Sequence, residues 1–367
     1  MITVSENIDL KEMTTFALPA RCGMFIEYSD AKVDLPELDR RGHLSDCFIL
    51  GGGSNLLFIS DRPDLTVIHP TDNAVTTSVN ADGSVSIQAS PAVILDDLCR
   101  MTAAEGWWGI ENLSGIPGQL GGAAVQNVGA YGTELCDVVT SILCYSLKSH
   151  EFITQSVDKC NYGYRDSIFK HLDKDDRQIV CQVNLKLQTT PTPNLGYKGL
   201  YTALCSRYGL SSSLPADENI PAILALGLTP AMIRDEVIRL RDSKLPSPKV
   251  IGSAGSFFKN PVVSSQKLAQ LTERWETIRP TGDATPLPYH RLPDGNAKLS
   301  AAWLIDRSGC KPLTAGGAAL WQSQPLVIVN SSGNATGEDV LNLEQQIIGR
   351  VERCFGITLS PEVIHIQ

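Results

Sequence analysis

Between Glu111 and Glu134 the chain carries no charged residue, yet six of the residues there are glycines interleaved with Ile, Leu and Val. A flexible linker would be polar. Glycine in an apolar setting instead lets backbone approach a ligand or another chain segment closely. The stretch runs Ser114-Gly115-Ile116-Pro117-Gly118, then Gly121-Gly122-Ala123-Ala124, Gln126-Asn127 and Gly129-Ala130-Tyr131-Gly132. A second glycine signal lies upstream, where the apolar run Cys47-Phe-Ile-Leu50 enters Gly51-Gly52-Gly53-Ser54-Asn55. Alone that is a strand leading into a turn. It does not match G-x-G-x-x-G and opens no long helix, which disfavours a Rossmann site. Three glycines followed by Ser and Asn can still form a backbone nest suited to a pyrophosphate. Two such segments point to a large planar cofactor with phosphates.

Composition bounds the alternatives. At 367 residues the chain exceeds one ordinary core, so two or three domains are expected. Lys and Arg number 31 against 40 Asp and Glu, and the formal charge of −9 argues against a general nucleic-acid binder. No run approaches the roughly 20 apolar residues of a bilayer span. The N-terminal stretch has acids where a leader peptide has bases. Ten cysteines form no C-x-x-C pair and six histidines show no metal spacing, so no metal is expected. Buried free thiols place the chain in the cytoplasm.

The coarse pattern is α+β. Ala74 to Ala89 alternates as a hairpin turning at Asp82-Gly83, and Val93 to Ala104 has helical spacing stopped by Gly106. Val138 to Tyr145 and Ile179 to Leu187 are β-branched strands. Thr189 to Glu218, with Pro191, Pro193 and a serine run, reads as an inserted excursion or linker. Thr229-Pro230 opens a helix that continues through Leu240. Further helices are expected at 264–271, 301–306 and 337–355, a proline-rich loop at 280–293 and a strand at 326–329.

Four more islands stand out: Asn161-Tyr-Gly-Tyr164-Arg165-Asp166-Ser-Ile-Phe-Lys170, Gly252-Ser-Ala-Gly-Ser256-Phe257-Phe258-Lys259-Asn260-Pro261, Lys298 to Asp306, and Leu359-Ser-Pro-Glu362. With the glycine segments they make six ordered motifs, and together these resemble the UDP-N-acetylenolpyruvoylglucosamine reductase family of peptidoglycan-precursor enzymes. The resemblance runs from Thr14-Thr-Phe16 to Pro361-Glu-Val363, and Leu195-Gly-Tyr197-Lys-Gly199 resembles its type I branch, which carries a substrate-covering tyrosine there. It implies an FAD-binding domain of the vanillyl-alcohol-oxidase type in residues 1–70 and 71–218, with the type I insertion near 190–218. A smaller α/β substrate domain and catalytic tail would occupy 219–367. It also implies that NADPH reduces a non-covalently held FAD, which reduces the enolpyruvyl ether of a UDP-sugar to UDP-N-acetylmuramate. Gly51 to Asn55 and the glycine-rich residues from Ser114 to Gly132 would hold the cofactor. Tyr164, Tyr197, Lys244 and Asn260 would hold the substrate, with Tyr289 and Gln324 as weaker carry-overs. Trp321 departs from the histidine or small polar residue of the family pattern. Nothing suggests a coiled-coil seam, and a monomer is expected.

The implied reaction can be tested against the residues. Hydride delivered to the enolpyruvyl group leaves charge delocalised toward the substrate carboxylate, which Arg165 can stabilise as a permanent bidentate cation. Glu362 can contribute only when protonated. Ser256 resembles the proton donor, since an enolate is basic enough to take a hydroxyl proton held in place. Phe257 and Phe258 would exclude water. Each residue alone has a blander reading: Arg165-Asp166 as a surface ion pair, Ser256 as a turn cap, Glu362 as a solvated acid. Joint occurrence with the glycine segments reverses that order. The rivals are another flavin oxidase on the same cofactor fold, or a UDP-sugar binder without catalysis.

Overall fold

The computed structural model describes residues 1–367. Packing divides the chain into two compact units. The first comprises Met1–Ile8, Cys22–Gly53 and Pro63–Ser243; the second comprises Asp9–Arg21, Ser54–Arg62 and Lys244–Gln367.

Two larger sheets and a two-stranded ladder, Gly129–Ala130 with Thr133–Glu134, build the first unit. One runs in the order Ile2–Asp9, Arg21–Tyr28, Arg62–Pro70, Cys47–Ile49, its last pair parallel with Cys47 opposite Thr66. Helix α1 (Ala31–Arg40) starts where the Asp30 carboxylate accepts from the Lys32 and Val33 N–H groups. Its Leu35 and Leu38 join Ile26 and Tyr28 in one core. The other sheet has the order Glu151–Ser156, Val139–Ser146, Gln178–Gln188, Ser84–Ala89, Val75–Val79, and every pair is antiparallel. Its hairpin turns at Asp82-Gly83 as expected: Gly83 takes φ +78° and the Ser84 N–H donates to Asp82 at 2.9 Å. Helices α2 (Leu95–Ala104) and α3 (Leu120–Gln126) bury their apolar faces with this sheet.

A helical layer completes the first unit: α4 (Lys198–Tyr208), α5 (Ala216–Ala225) and α6 (Pro230–Asp242). Thr189 to Glu218 is expected from the sequence to be an inserted excursion or linker, and the packed helix α4 within it excludes the linker. Leu200, Leu204 and Cys205 are fully buried with Ile223, Ile233 and Val237. The prolines at 191 and 193 precede α4, and the serine run separates α4 from α5, so both punctuate helices rather than prevent them. Thr229 caps α6, its hydroxyl accepting from the Met232 N–H at 3.3 Å.

The second unit centres on an antiparallel sheet in the order Ser253–Ser256, Val327–Asn330, Ala318–Leu320, Thr314–Ala315. A smaller sheet pairs Val262–Val263, Ala297–Leu299 and Tyr289–Arg291, the last a strand within the expected proline-rich loop. Helix α7 (Ser265–Ile278) runs past the expected end at Leu271 because Trp275 continues the buried face of Leu268 and Leu271. Helix α8 (Ala301–Arg307) follows, then α9 (Gly337–Phe355), which begins in a Thr336–Asp339 capping box and stops where Gly356 takes φ +63°. The α9 stripe Val340, Leu343, Ile347, Val351, Phe355 is buried. Truncating its Leu or an Ile to Ala should cost about 2–5 kcal/mol. Strand Ile364–Ile366 lies parallel to Leu56–Phe58. No helix is long and apolar enough to cross a membrane.

Candidate active site

In the first unit the glycine segments meet. A Cβ on Gly52 would sit 2.7 Å from the Gly118 Cα and 3.0 Å from the Gln119 N, so only glycine fits there. Gly51 faces the same segment: a Cβ on it would sit 3.5 Å from Gln119 Oε1. Helix α3 starts immediately after this contact. Gly121 in its first turn backs onto Pro91, where an added Cβ would come within 2.8 Å of the Pro91 Cβ, while a Cβ on Gly122 would meet nothing. The cradle holds amides that the protein leaves unsatisfied. Gln126 is 7% exposed with neither amide atom hydrogen-bonded, and Gln119 Oε1 and Asn112 Oδ1 are buried without partners. Buried polar atoms are normally paired, so an unpaired group of them beside a glycine contact fits a ligand with polar edges. Asn127 differs: in the left-handed region, it donates to Glu134 and Gly163 at 2.9 Å and accepts from the Cys136 N–H, bracing the loop. Ser114 is likewise committed, its buried hydroxyl donating to the Glu111 carbonyl at 2.6 Å. His69 braces the strand before the triple glycine, one ring nitrogen 2.8 Å from the Leu50 carbonyl.

Arg165 joins this cradle. Gly163 and Asp166 exchange backbone hydrogen bonds at 3.0 and 3.1 Å, which forces Arg165 to φ +56°. Its guanidinium donates to the Gly129 carbonyl at 2.5 Å and stands 5.2 Å from the Tyr164 ring centroid. The Arg165-Asp166 doublet is not an internal ion pair, because Asp166 pairs with His171 at 2.8 Å. Tyr197 meets Tyr131 edge-on, ring centroids 5.1 Å apart, and a Cβ on Gly132 would sit 3.4 Å from the Tyr197 N. Asn112 and Asn194 tie these segments together by donating to the Tyr131 and Gly132 carbonyls at 2.8 and 2.9 Å.

One residue of this cradle escaped the sequence reading. Arg241, in the last turn of α6, lies against Gly115: a Cβ there would be 2.9 Å from its Nε and 2.8 Å from Ile238 Cδ1. No hydrogen bond or ion pair engages its guanidinium, and burial holds its pKa below the ordinary value. The nearby acid is already committed. Asp96 forms a two-pronged pair with Arg234 and accepts from the Gly115 N–H at 2.6 Å. Burial opposes ionisation of Asp96, but those donors leave its carboxyl below the usual range. A partly buried cation that hydrogen-bonds to no acid, with Asp96 and Asp242 acting on it only from a distance, is suited to an anionic group of a ligand beside this glycine loop. The three-residue spacing of Ile238 and Arg241 puts both on one helix face, the signal that could have found it.

The second unit brings Ser256 to Glu362. Strand Ser253–Ser256 breaks register against Val327–Asn330, with Gly255 at φ +71°, and leaves Ser256 exposed at its end. The chain then pairs with the C-terminal segment: Glu362 N–H donates to the Phe257 carbonyl at 2.8 Å, and Lys259 N–H to Ser360 at 2.9 Å. The Ser256 hydroxyl makes no hydrogen bond within the protein, so it caps no turn. Phe257 and Phe258 are fully buried, their rings 5.2 Å apart. Asn55 closes the arrangement from Ser54-Asn55, its amide donating to the Glu362 carbonyl at 3.1 Å and its own carbonyl accepting from Ile364 N–H at 3.0 Å.

The remaining expected residues are scattered through the second unit. Asn260 Oδ1 accepts from the Ala301 N–H at 2.9 Å, capping α8. Lys244 is exposed, and its carbonyl receives the Trp321 indole N–H at 2.9 Å. Gln324 belongs to the turn headed by Trp321, its N–H donating to the Trp321 carbonyl at 3.1 Å. Tyr289 lies exposed on the edge strand of the small sheet, stacked by Arg291. A cleft of about 450 Å³ among the ends of α7, α8 and α9 contains none of these residues. Arg274 and Arg307 in it are engaged, with the Cys354 and Arg353 carbonyls and with Asp283. No cluster of His, Cys, Asp and Glu could hold a metal ion.

Comparisons with known proteins bear on both units. A family model described as UDP-N-acetylenolpyruvoylglucosamine reductase, C-terminal domain, matches residues 246–366, and one described as FAD binding domain matches 45–146. The UDP-N-acetylenolpyruvoylglucosamine reductase of Neisseria gonorrhoeae is 39% identical, over 99% of this chain and 97% of that protein. The protein of the same description from Porphyromonas gingivalis is 35% identical over 99% of both. Among solved structures, the UDP-N-acetylenolpyruvylglucosamine reductase of Thermus caldophilus shares the fold with a TM-score of 0.65, covering 100% of both chains at 24% identity.

Proposed function

The chain belongs to the UDP-N-acetylenolpyruvoylglucosamine reductase family, and from that premise we propose how its own residues perform the family's reaction. It is an FAD-dependent, NADPH-using oxidoreductase that converts UDP-N-acetylglucosamine enolpyruvate to UDP-N-acetylmuramate in peptidoglycan precursor synthesis. Identity at 35–39% along essentially the full length carries that conclusion.

When bound, FAD supplies the hydride for the enolpyruvyl double bond after NADPH has charged it. The unpaired amides of Gln126, Gln119 and Asn112 would receive its polar edges, and the Gly51–Gly53 turn against Gly118 would admit its pyrophosphate. Arg241 would answer its negative charge. Arg165 would hold the substrate carboxylate, already oriented by its bond to Gly129 and the Tyr164 ring. Ser256 would give the proton to the carbon that becomes carbanion-like, and its unengaged hydroxyl suits that task. Glu362 would assist as the neutral acid, steadied by the Phe257 carbonyl and by Asn55. Tyr197 would close over the UDP end, with Lys244, Asn260, Tyr289 and Gln324 as further contacts. The same proposal covers a cytoplasmic monomer with non-covalent FAD and no nucleic-acid partner.

An anaerobic spectral titration tests the reading. Yellow protein should bleach with NADPH and recover its flavin band when the UDP-enolpyruvyl sugar is added. Bleaching without recovery, or recovery only with oxygen, would transfer the chain to a flavin oxidase reading.

A further inference from the structure

We propose that Glu344 and His365 form a positioning pair for Glu362, setting where its carboxyl stands relative to Ser256. The inference rests on the reading of Glu362 as a catalytic acid. Glu344 is only 2% exposed, midway along α9 between the buried Leu343 and Ile347. A carboxylate buried among aliphatic side chains is costly without a cation. The polar side chain beside it is His365, with Nε2 3.0 Å from Glu344 Oε2. Neither atom completes a directed hydrogen bond, so the two side chains are held against each other by proximity and packing.

His365 sits where such an anchor would act on the site. It is the middle residue of Ile364–Ile366, three positions after Glu362, and its ring lies 6.1 Å from that of Phe257. The Phe257 carbonyl takes the Glu362 N–H at 2.8 Å, and Phe257 follows Ser256 directly. One imidazole therefore touches the buried acid of α9 on one side and the ring behind Ser256 on the other. The strand it belongs to needs help. It pairs over three residues with a single partner, Leu56–Phe58, and an isolated two-stranded ladder of that length is marginal. Alternation places His365 on the opposite side from Ile364 and Ile366, so it is the residue of the three that can reach α9. Loss of the pair would let the segment shift while leaving the first unit intact. An error of about 1 Å in a reacting group can cost on the order of a hundredfold in rate.

The test separates the two half-reactions in the FAD-loaded enzyme. His365→Ala, Glu344→Ala, the double alanine variant and Glu362→Gln are compared by anaerobic stopped flow, following flavin reduction by NADPH and reoxidation by UDP-enolpyruvyl sugar. Expected is wild-type bound FAD and NADPH reduction, with reoxidation slowed about ten- to a hundredfold in both single variants. The double variant should be no slower than either single variant, the non-additivity of residues acting as one unit. If burial of a lone charge unfolds the single variants, Glu344→Leu/His365→Leu keeps an apolar pair in the space and should still reoxidise slowly. Wild-type reoxidation in the His365 variants beside a crippled Glu362→Gln overturns the inference alone, as does equal loss of both half-reactions. Wild-type reoxidation in Glu362→Gln overturns the reading of Glu362 and the inference with it.

Discussion

The two units carry their functional residues in different ways. In the first, backbone does the work: Gly52 touches Gly118 with no room for a Cβ, and the Gln126 amide and Gln119 Oε1 in the same cradle are left without hydrogen-bond partners. In the second, segments far apart in sequence are stitched by hydrogen bonds, Glu362 to Phe257 and Asn55 to Glu362, and the reacting group proposed there, Ser256, projects from a strand end. The first arrangement suits holding a large ligand that stays bound. The second suits presenting one or two groups to a ligand that comes and goes. Substitutions should therefore separate: those in the first unit should change flavin binding, and those in the second should change turnover of the sugar while flavin remains.

The largest effect is expected from Gly52→Ala. Its methyl group would meet backbone atoms, which cannot rotate away, so the two glycine segments must part. Overpacking costs typically about 1–3 kcal/mol and more where backbone is the obstacle. The protein should purify colourless and with a lowered thermal midpoint, read from the flavin band and a melting curve. Yellow protein of normal stability would show that the contact is unnecessary for the cofactor.

Ser256→Ala is the matching test for the second unit. NADPH should bleach the variant's flavin at the wild-type rate. Reoxidation by the enolpyruvyl sugar should fall by about 10²- to 10⁴-fold, the range for a lost proton donor. If the variant instead loses FAD, the contrast between the units breaks down.

Arg241→Met tests the cradle from the side the sequence did not reveal. Methionine keeps most of the length against Gly115 and removes the charge. FAD affinity should drop by about ten- to a hundredfold, matching the roughly 1.5–3 kcal/mol of a hydrogen bond to a charged group. Arg241→Lys should recover part of it, measured by fluorescence titration of apoprotein. Equal affinity in all three proteins would leave Arg241 as packing for α6.

These cases also show what could be read in the chain beforehand. The Asp82-Gly83 hairpin and α9 were legible because local signals decide them: a turn dipeptide between alternating residues, and a long apolar stripe at helical spacing. Ser256 and Glu362 were legible only as separate motifs; their union depends on backbone pairing that no periodicity announces. Helix α3 was hidden in Leu120-Gly-Gly-Ala-Ala-Val-Gln126, since two glycines cost about 1 kcal/mol each in a helix and packing on Pro91 must override that preference. Arg241 was hidden because an arginine near a helix C-terminus is ordinarily explained by the helix dipole. What sets it apart is a half-buried guanidinium to which no acid hydrogen-bonds.

Trp321 gives the smallest and sharpest test. It departs from the family pattern, and a tryptophan there can either pack structurally or reshape the wall of a pocket. Its indole N–H reaches the Lys244 carbonyl at 2.9 Å, and its backbone heads the turn that holds Gln324. Both neighbours are proposed substrate contacts, so the indole acts through them rather than by chemistry of its own. Trp321→Phe removes one neutral hydrogen bond, worth about 0.5–1.5 kcal/mol, and keeps an aromatic ring. The KM for the UDP-enolpyruvyl sugar should rise roughly two- to tenfold while kcat and bound FAD stay unchanged. Steady-state kinetics at saturating NADPH measure this directly. An unchanged KM would mean that Lys244 holds its place without the indole, and a fallen kcat would place Trp321 nearer to the reacting atoms than its bond to Lys244 suggests.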